Sequence, residues 1–133
     1  MTAATPAGAP GSPFSVILCD DNVMLLETLR EVVQAQPDLE VVGTARSDEH
    51  ALRLAHRHQP DLVILDVRFP GGGPFVARDI ARCSPGSRIV AFSAYDDKGS
   101  VEQMMNAGAC AYVLKGASNR ELLTALRRAT APR

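Results

Sequence analysis

Five short apolar runs, separated by segments with helical periodicity, constrain the fold of this chain more than any other feature. The first run, for example, is rich in branched residues and is followed by Asp20, which predicts a strand buried on both faces of a sheet. The predicted strands cover residues 14–19, 39–45, 62–65, 88–92 and 110–114. Because strands that alternate with helices are joined by right-handed crossovers, this order predicts a parallel sheet with helices on both faces.

The intervening segments carry helix signals of their own. Ser47 is a predicted N-cap, and Ser118 with Glu121 forms a capping box. The spacing of apolar residues predicts a third helix over about 75–82 and a fourth over about 98–106. We therefore expect one doubly wound α/β domain, built from five strand–helix pairs.

Composition excludes several classes of protein. Apolar residues make up 46% of the 133 residues, charged residues make up 22%, and the net charge is −1, as in an ordinary globular domain. Without a strong basic field or a long apolar run, we expect neither a direct nucleic-acid partner nor a membrane partner. Residues 1–13 are mostly Ala, Thr, Pro, Gly and Ser, so we expect a flexible tail there.

The three cysteines argue against a disulfide framework and against a zinc site. Cys19, Cys83 and Cys110 are widely spaced, odd in number and lack a CxxC pair. We expect Cys19 and Cys110, which lie in apolar runs, to be buried. Reduced thiols are typical of the cytoplasm, and we expect the protein there.

Polar residues that carry chemistry follow four of the predicted strands. Asp20 and Asp21 follow the first strand, Asp66 the third, Ser93 the fourth and Lys115 the fifth. If the strand order is 2-1-3-4-5, these four strands are neighbours, and their carboxyl ends meet at the edge where α/β sheets bind ligands. The five side chains are therefore expected to converge.

Together these residues predict a phosphoryl-accepting site. Three neighbouring carboxylates repel one another and need a cation, and hard oxygen ligands select Mg²⁺. A carboxylate can attack phosphorus to form an acyl phosphate, whose charge Lys115 and the cation would neutralise. A single Asp or Ser at a strand end is usually only a cap or a turn residue, so the prediction depends on the whole set.

The chain resembles the receiver domains of bacterial response regulators from about residue 14 to about 129. The matching stretches are VILCDDN, DLVILDVRFPG, RIVAFSAYDD and AGACAYVLKGAS. LKGAS followed by ELLxALRRA is most similar to the LuxR/NarL-type subfamily, whose members often carry a C-terminal helix-turn-helix. The resemblance implies a flavodoxin-like, or CheY-like, fold with a parallel five-stranded sheet of order 2-1-3-4-5, and a receiver domain over residues 14–131.

By this resemblance Asp66 is the phosphoacceptor in a two-component system, modified to 4-aspartylphosphate. Asp20 and Asp21 would hold Mg²⁺ together with Asp66 and the backbone carbonyl of Arg68, and Lys115 would contact the phosphoryl group. A histidine kinase would supply that group. We expect self-phosphorylation and slow autodephosphorylation, without turnover of an external substrate.

The resemblance also implies a switch. Ser93 would move toward the phosphoryl group and Tyr112 would rotate inward. The face formed by the fourth helix, fifth strand and fifth helix would then change its affinity for an unknown downstream protein. A phosphorylation-dependent homodimer stays open.

The chain departs from the family pattern in the loop at 69–74. Three successive glycines there predict a mobile loop. Arg68 and Tyr95 are bulky and flank the site. In this family residues at these places influence hydrolysis of the aspartyl phosphate, so a long-lived phosphoryl group is a hypothesis.

Other functions compete with the switch. A phosphorylation-independent receiver-like adaptor is the main rival. A small Mg²⁺-dependent phosphohydrolase would need a DxD strand and a cap, and a flavin site would need a phosphate cradle where Asp20 and Asp21 stand. The chain is either a stand-alone receiver, which its end at Arg133 favours, or the receiver fragment of a DNA-binding transcriptional regulator.

Overall fold

The structure is a computed structural model that describes residues 12–131. The five strands are β1 Phe14–Cys19, β2 Leu39–Ala45, β3 Leu62–Asp66, β4 Arg88–Ser93 and β5 Ala109–Leu114. The five helices are α1 Val23–Gln34, α2 Asp48–His58, α3 Gly73–Cys83, α4 Lys98–Asn106 and α5 Asn119–Thr130. Residues 1–11 of the predicted tail lie outside the described residues. Within 12–131 no helix has the length and apolar character needed to cross a bilayer.

The five strands form one parallel sheet in the order β2-β1-β3-β4-β5. The predicted doubly wound α/β fold is therefore confirmed. β1, β3 and β4, which lie between the two edge strands, are buried along nearly their whole length. The carboxyl ends of the parallel strands lie together at one end of the sheet, which we call the carboxyl edge. Their amino ends lie at the opposite end, which we call the amino edge.

Side-chain caps fix where four of the five helices begin. The side chains of Asn22, Ser47, Asp97 and Ser118 each accept a hydrogen bond from a backbone N–H three residues ahead. Such caps satisfy donors that have no partner within the helix. The predicted caps Ser47 and Ser118 are confirmed.

Two apolar layers enclose the sheet. α1 and α5 cover one face through residues such as Leu26 and Leu126, and α2, α3 and α4 cover the other through residues such as Ile80 and Met104. Successive strand residues point to opposite faces, so each buried strand serves both layers. Because the helices pack on the two faces of the sheet, the loops that follow the strands form the surface at the carboxyl edge.

The prediction that Cys110 is buried is wrong. Cys19 is buried as expected, but Cys110 is exposed. The strand starts at Ala109, and its register on β4 pairs Ile89 with Ala109 and Val90 with Ala111. Cys110 is therefore an extra residue in a bulge, and a bulge on an edge strand leaves the extra residue out of the ladder.

Helix α3 begins two residues before its predicted start. It starts at Gly73, with Pro74 in its first turn, where a missing N–H costs little. A Cβ on residue 73 would lie only 2.4 Å from the Val67 carbonyl oxygen, and Gly71 and Gly72 have φ values of 92° and 90°. The backbone at these three positions therefore favours glycine, which has no Cβ. The mobility of the loop stays a prediction.

Candidate functional site

Three carboxylates meet at the carboxyl edge. Asp20 and Asp21 follow β1, and Asp66 is the last residue of β3. One oxygen from each lies within 4.8 Å of one oxygen from each of the others. Asp20 and Asp66 are only 1% and 4% exposed, whereas Asp21 is open to solvent. An all-oxygen donor set of this charge and spacing suits Mg²⁺.

Lys115, directly after β5, supplies the positive charge of the site. Its Nζ lies 2.8 Å from Asp20 Oδ2 and 3.4 Å from Asp66 Oδ1. Asp20 Oδ2 is buried, and its polar contact is this ion pair with Lys115. Burial alone would lower the pKa of Lys115, but its contacts with Asp20 and Asp66 outweigh burial and raise that pKa. Lys115 therefore remains charged.

The environment of Asp66 disfavours its ionised form. Burial raises its pKa, and the neighbouring Asp20 carboxylate raises it further. The Arg68 backbone N–H, which donates to Asp66 Oδ1 at 3.1 Å, and the Lys115 ammonium act in the opposite direction without cancelling the rise. A cation bound to the three carboxylates would relieve this cost.

Local hydrogen bonds hold the acidic pair in place. The Asn22 backbone N–H donates to Asp20 Oδ1 at 2.9 Å, and Arg46 Nε donates to the Asp21 carbonyl oxygen at 3.4 Å. Arg46 was not among the site residues predicted from the sequence. It follows β2 directly, so the strand-end rule that found the other residues could also have found it.

Ser93 and Tyr95 form the side of the site nearest β4. Ser93 is fully buried at the end of that strand, and its Oγ accepts a hydrogen bond from the Tyr95 backbone N–H at 3.0 Å. The Arg68 guanidinium lies over the exposed Tyr95 ring, 4.3 Å from its centroid. This cation–π stack joins the loop after β3 to the loop after β4.

Tyr112 connects β5 to the same loop. The side chain is half-buried, and its hydroxyl donates to the Tyr95 carbonyl oxygen at 2.5 Å. Ser93 and Tyr112 therefore both contact the backbone of Tyr95. The ends of β4 and β5 are also joined directly, because the Lys115 backbone N–H donates to the Ser93 carbonyl oxygen at 2.7 Å.

The structure thus brings together the residues that the sequence predicted. Asp20, Asp21, Asp66 and Lys115 are in direct proximity, and Ser93 and Tyr112 are joined to them through the backbone at the ends of β4 and β5. The role of the Arg68 carbonyl as a metal ligand stays a prediction, since the contact observed for its backbone is that of the N–H.

Relatives with curated descriptions share much of this sequence. The nitrate/nitrite response regulator protein NarL of Escherichia coli K12 is 35% identical over 120 residues, which cover 90% of this chain and 56% of NarL. The response regulator GacA of Pseudomonas aeruginosa is 32% identical over 115 residues, or 86% of this chain and 54% of GacA. The chain spans about half the length of the curated relatives it matches.

Solved structures agree with the sequence relatives. The signal receiver domain of the putative response regulator NarL from Mycobacterium tuberculosis superposes with a TM-score of 0.86 at 28% identity, covering 92% of this chain and 99% of that one. A LuxR-family two-component response regulator from Aurantimonas sp. SI85-9A1 gives 0.85 at 30% identity, covering 92% and 88%. The family model described as the response regulator receiver domain matches residues 16–127. The chain therefore belongs to the response regulator receiver domain family.

Proposed function

We propose that this receiver accepts a phosphoryl group from a histidine kinase on Asp66, and that this modification changes what the domain binds. The observation that carries the proposal is the position of Asp66: its carboxylate contacts Lys115 and lies with Asp20 and Asp21 in a set of oxygens that could hold one cation. The proposal is supported because a candidate nucleophile, a positive partner and a set of oxygens that suits a metal ion lie in one place.

The chemistry is a phosphoryl transfer between the kinase and this chain. An Asp66 carboxylate oxygen forms a bond to phosphorus as the bond from phosphorus to the kinase imidazole nitrogen breaks. Asp20, Asp21, Asp66 and the Arg68 carbonyl would hold Mg²⁺, which supplies charge neutralisation at the phosphoryl oxygens. Lys115 already sits 3.4 Å from Asp66 Oδ1, so it needs little movement to reach a phosphoryl oxygen.

The switch would use the contacts around Tyr95. A phosphoryl group adds charge and strong acceptor oxygens, to which the Ser93 hydroxyl would donate a hydrogen bond. Ser93 Oγ now accepts a hydrogen bond from the Tyr95 N–H, and the Tyr112 hydroxyl donates one to the Tyr95 carbonyl oxygen. A movement of Ser93 would therefore be transmitted to Tyr112 through the backbone of Tyr95. A change from 1:99 to 99:1 needs about 5.5 kcal/mol of differential stabilisation.

The output surface proposed for the switch is the face of α4, β5 and α5. A groove on this face is lined by residues that include Tyr112, Leu114, Arg120 and Arg128. Tyr112 is thus both a wall of the groove and a partner of the Tyr95 carbonyl. An unknown downstream protein, or a second phosphorylated copy, would bind here.

The coverage of relatives supports a second candidate. The matched relatives are about twice as long as the matched region, and one structural neighbour is a DNA-binding response regulator of the LuxR family from Staphylococcus aureus, which is 24% identical. The chain would then act as the receiver segment of a DNA-binding transcriptional regulator, with the same chemistry at Asp66 and an output through its own effector domain.

Mass spectrometry after incubation with acetyl phosphate and Mg²⁺ tests the acceptor. We expect the gain of one phosphoryl group in the wild-type chain and none in Asp66→Asn. Asp79→Asn, which removes an exposed carboxylate from α3, is the matched control and should keep the gain. An unmodified wild-type chain would favour the phosphorylation-independent adaptor. Hydrolysis of an added phosphate ester without modification of Asp66 would favour the phosphohydrolase.

The same sample measures the lifetime of the phosphoryl group. The Arg68–Tyr95 stack lies at the rim of the site, and we propose that it restricts the approach of water to phosphorylated Asp66. After removal of the donor, the phosphorylated wild-type chain should decay more slowly than phosphorylated Arg68→Ala. Equal decay of the two, or a wild-type half-life of only seconds, would refute this role of the stack.

A further inference from the structure

Helix α1 presents an acidic stripe to solvent. Met24, Glu27, Thr28 and Glu31 are all exposed, and their spacing of three and four residues puts them on one face of the helix. The α1 residues that enter the core lie on the opposite face. Met24 is 78% exposed, so the stripe has an apolar contact point at one end and two carboxylates one helical turn apart.

A groove between α2 and α3, on the other face of the sheet, has the complementary character. Basic and apolar side chains that line it include His50, Arg53, Leu54, His56, Arg57 and Cys83. Leu54 and Cys83 are partly buried, whereas Arg53 and Arg57 are exposed. The single carboxylate among the lining residues is Asp79, so the two guanidiniums give the groove a basic rim over an apolar floor.

We propose that this groove binds helix α1 of a second copy of the chain. Glu27 and Glu31 are four residues apart on α1, and Arg53 and Arg57 are four residues apart on α2. The carboxylates and guanidiniums therefore have the same spacing, slightly more than one turn or about 6 Å along the helix axis. Met24, a flexible side chain that adapts to irregular surfaces, would contact the apolar floor.

The positions of the two surfaces determine the kind of assembly. α1 packs on one face of the sheet and α2 on the other, so one copy uses its α1 stripe and the next copy its groove. Such a contact is heterologous, and each added copy leaves one stripe and one groove free. The chain should therefore associate head to tail, and the association does not depend on Asp66 being phosphorylated.

Sedimentation velocity of the full chain over a range of concentrations tests the contact. At about 0.01 M salt, where the Debye length is about 30 Å, the weight-average mass should rise above the monomer value with protein concentration. The monomer mass is 14.2 kDa. At about 1 M salt, where the Debye length is about 3 Å, the mass should return to that of the monomer. A monomer at every concentration and low salt would overturn the proposal.

Two double variants locate the surfaces. Glu27→Gln with Glu31→Gln removes the stripe, and Arg53→Gln with Arg57→Gln removes the basic rim. Each should be monomeric alone, but an equal mixture should form a dimer of twice the monomer mass, because one intact stripe meets one intact groove and growth then stops. A mixture that stays monomeric while the wild type associates would refute this pairing.

Arg78→Gln with Arg82→Gln is the matched control for charge. Both arginines are exposed on α3 and neither lines the groove. This variant should associate as the wild type does. If it loses association as fully as the Arg53 and Arg57 variant, the effect comes from net charge and not from the groove, and the proposal fails. Far-ultraviolet circular dichroism of each variant checks that its helices are intact.

Discussion

Polar groups at the amino edge and at the carboxyl edge of the sheet differ in how fully they are hydrogen-bonded. At the amino edge, Asp61 Oδ2 accepts hydrogen bonds from both the backbone N–H and the hydroxyl of Ser15, at 2.8 and 3.2 Å. At the carboxyl edge, Asp20 and Asp66 are buried side by side and share the Lys115 ammonium. Among the side-chain nitrogen and oxygen atoms of residues 12–131, Asp20 Oδ2 is the buried one whose polar contact is an ion pair alone.

The amino edge contains further satisfied groups. The buried Ser84 hydroxyl contacts the Ser87 hydroxyl at 2.5 Å, and the Ser87 hydroxyl donates to the Pro60 carbonyl oxygen at 2.5 Å. At the same edge Arg127 forms a two-pronged contact with Asp38, at 2.9 and 3.0 Å. Networks in which each group has a partner stabilise a fold, whereas partly satisfied charges cost free energy. The amino edge is therefore arranged for stability, whereas the carboxyl edge carries the charge that the proposed function requires.

The largest expected effect is that of Mg²⁺ on the carboxyl edge. At a concentration of about 100 times its dissociation constant, Mg²⁺ should raise the free energy of unfolding by about 2.7 kcal/mol. Urea denaturation with and without the ion measures this. Asp20→Asn with Asp21→Asn should lose the effect, and NaCl of equal ionic strength should not reproduce it. If Mg²⁺ stabilises that double variant as much as the wild type, the ion binds elsewhere.

Asp61→Ala should weaken the amino edge. The Ser15 N–H and hydroxyl would lose their common acceptor, and leaving such donors without partners costs about 1–3 kcal/mol of unfolding free energy. Asp79→Ala, at an exposed position on α3, should change stability by less than about 0.5 kcal/mol. If both variants unfold at the same urea concentration, Asp61 is not the stabilising group that its hydrogen bonds suggest.

Asp66→Asn should have the opposite sign and stabilise the metal-free chain. Because the pKa of Asp66 is raised in the folded state, its ionised form opposes folding at neutral pH, and this cost appears as pH rises through that pKa. Neutralising it should raise the free energy of unfolding by about 0.5–2 kcal/mol, as is common at strained sites. The gain should vanish in acid, where wild-type Asp66 is protonated. A loss of stability at neutral pH would contradict this.

The smallest effect concerns Asp38 and Arg127. The hydrogen bonds from Arg127 lower the pKa of Asp38, so its contribution is present above the ordinary value of 3.8 and is lost as pH falls through the lowered pKa. Both side chains are nearly half exposed, which limits the contribution to about 0–1 kcal/mol. The stability gap between wild type and Asp38→Asn should therefore close in acid. If the stability difference between the two proteins stays constant with pH, it comes from packing and not from the ion pair.

Much of the fold was predictable because its signals are local. Apolar runs ended by polar residues marked the five strands, and the strand-end rule found Asp20, Asp21, Asp66, Ser93 and Lys115. Three features were missed or misjudged. Cys110 is exposed because the β4–β5 register skips it, α3 starts at Gly73 because the backbone passes close to Val67, and Arg46 was overlooked at the end of β2.

The sequence by itself determined the fold class and the residue types at the carboxyl edge, because periodicity and strand ends are properties of short segments. Only the tertiary structure decided which oxygens share the Lys115 ammonium, that Arg68 stacks on Tyr95, and that Tyr112 already donates to the Tyr95 carbonyl. These contacts join residues far apart in the chain. Their geometry depends on how strands align and how loops turn, which no single segment encodes.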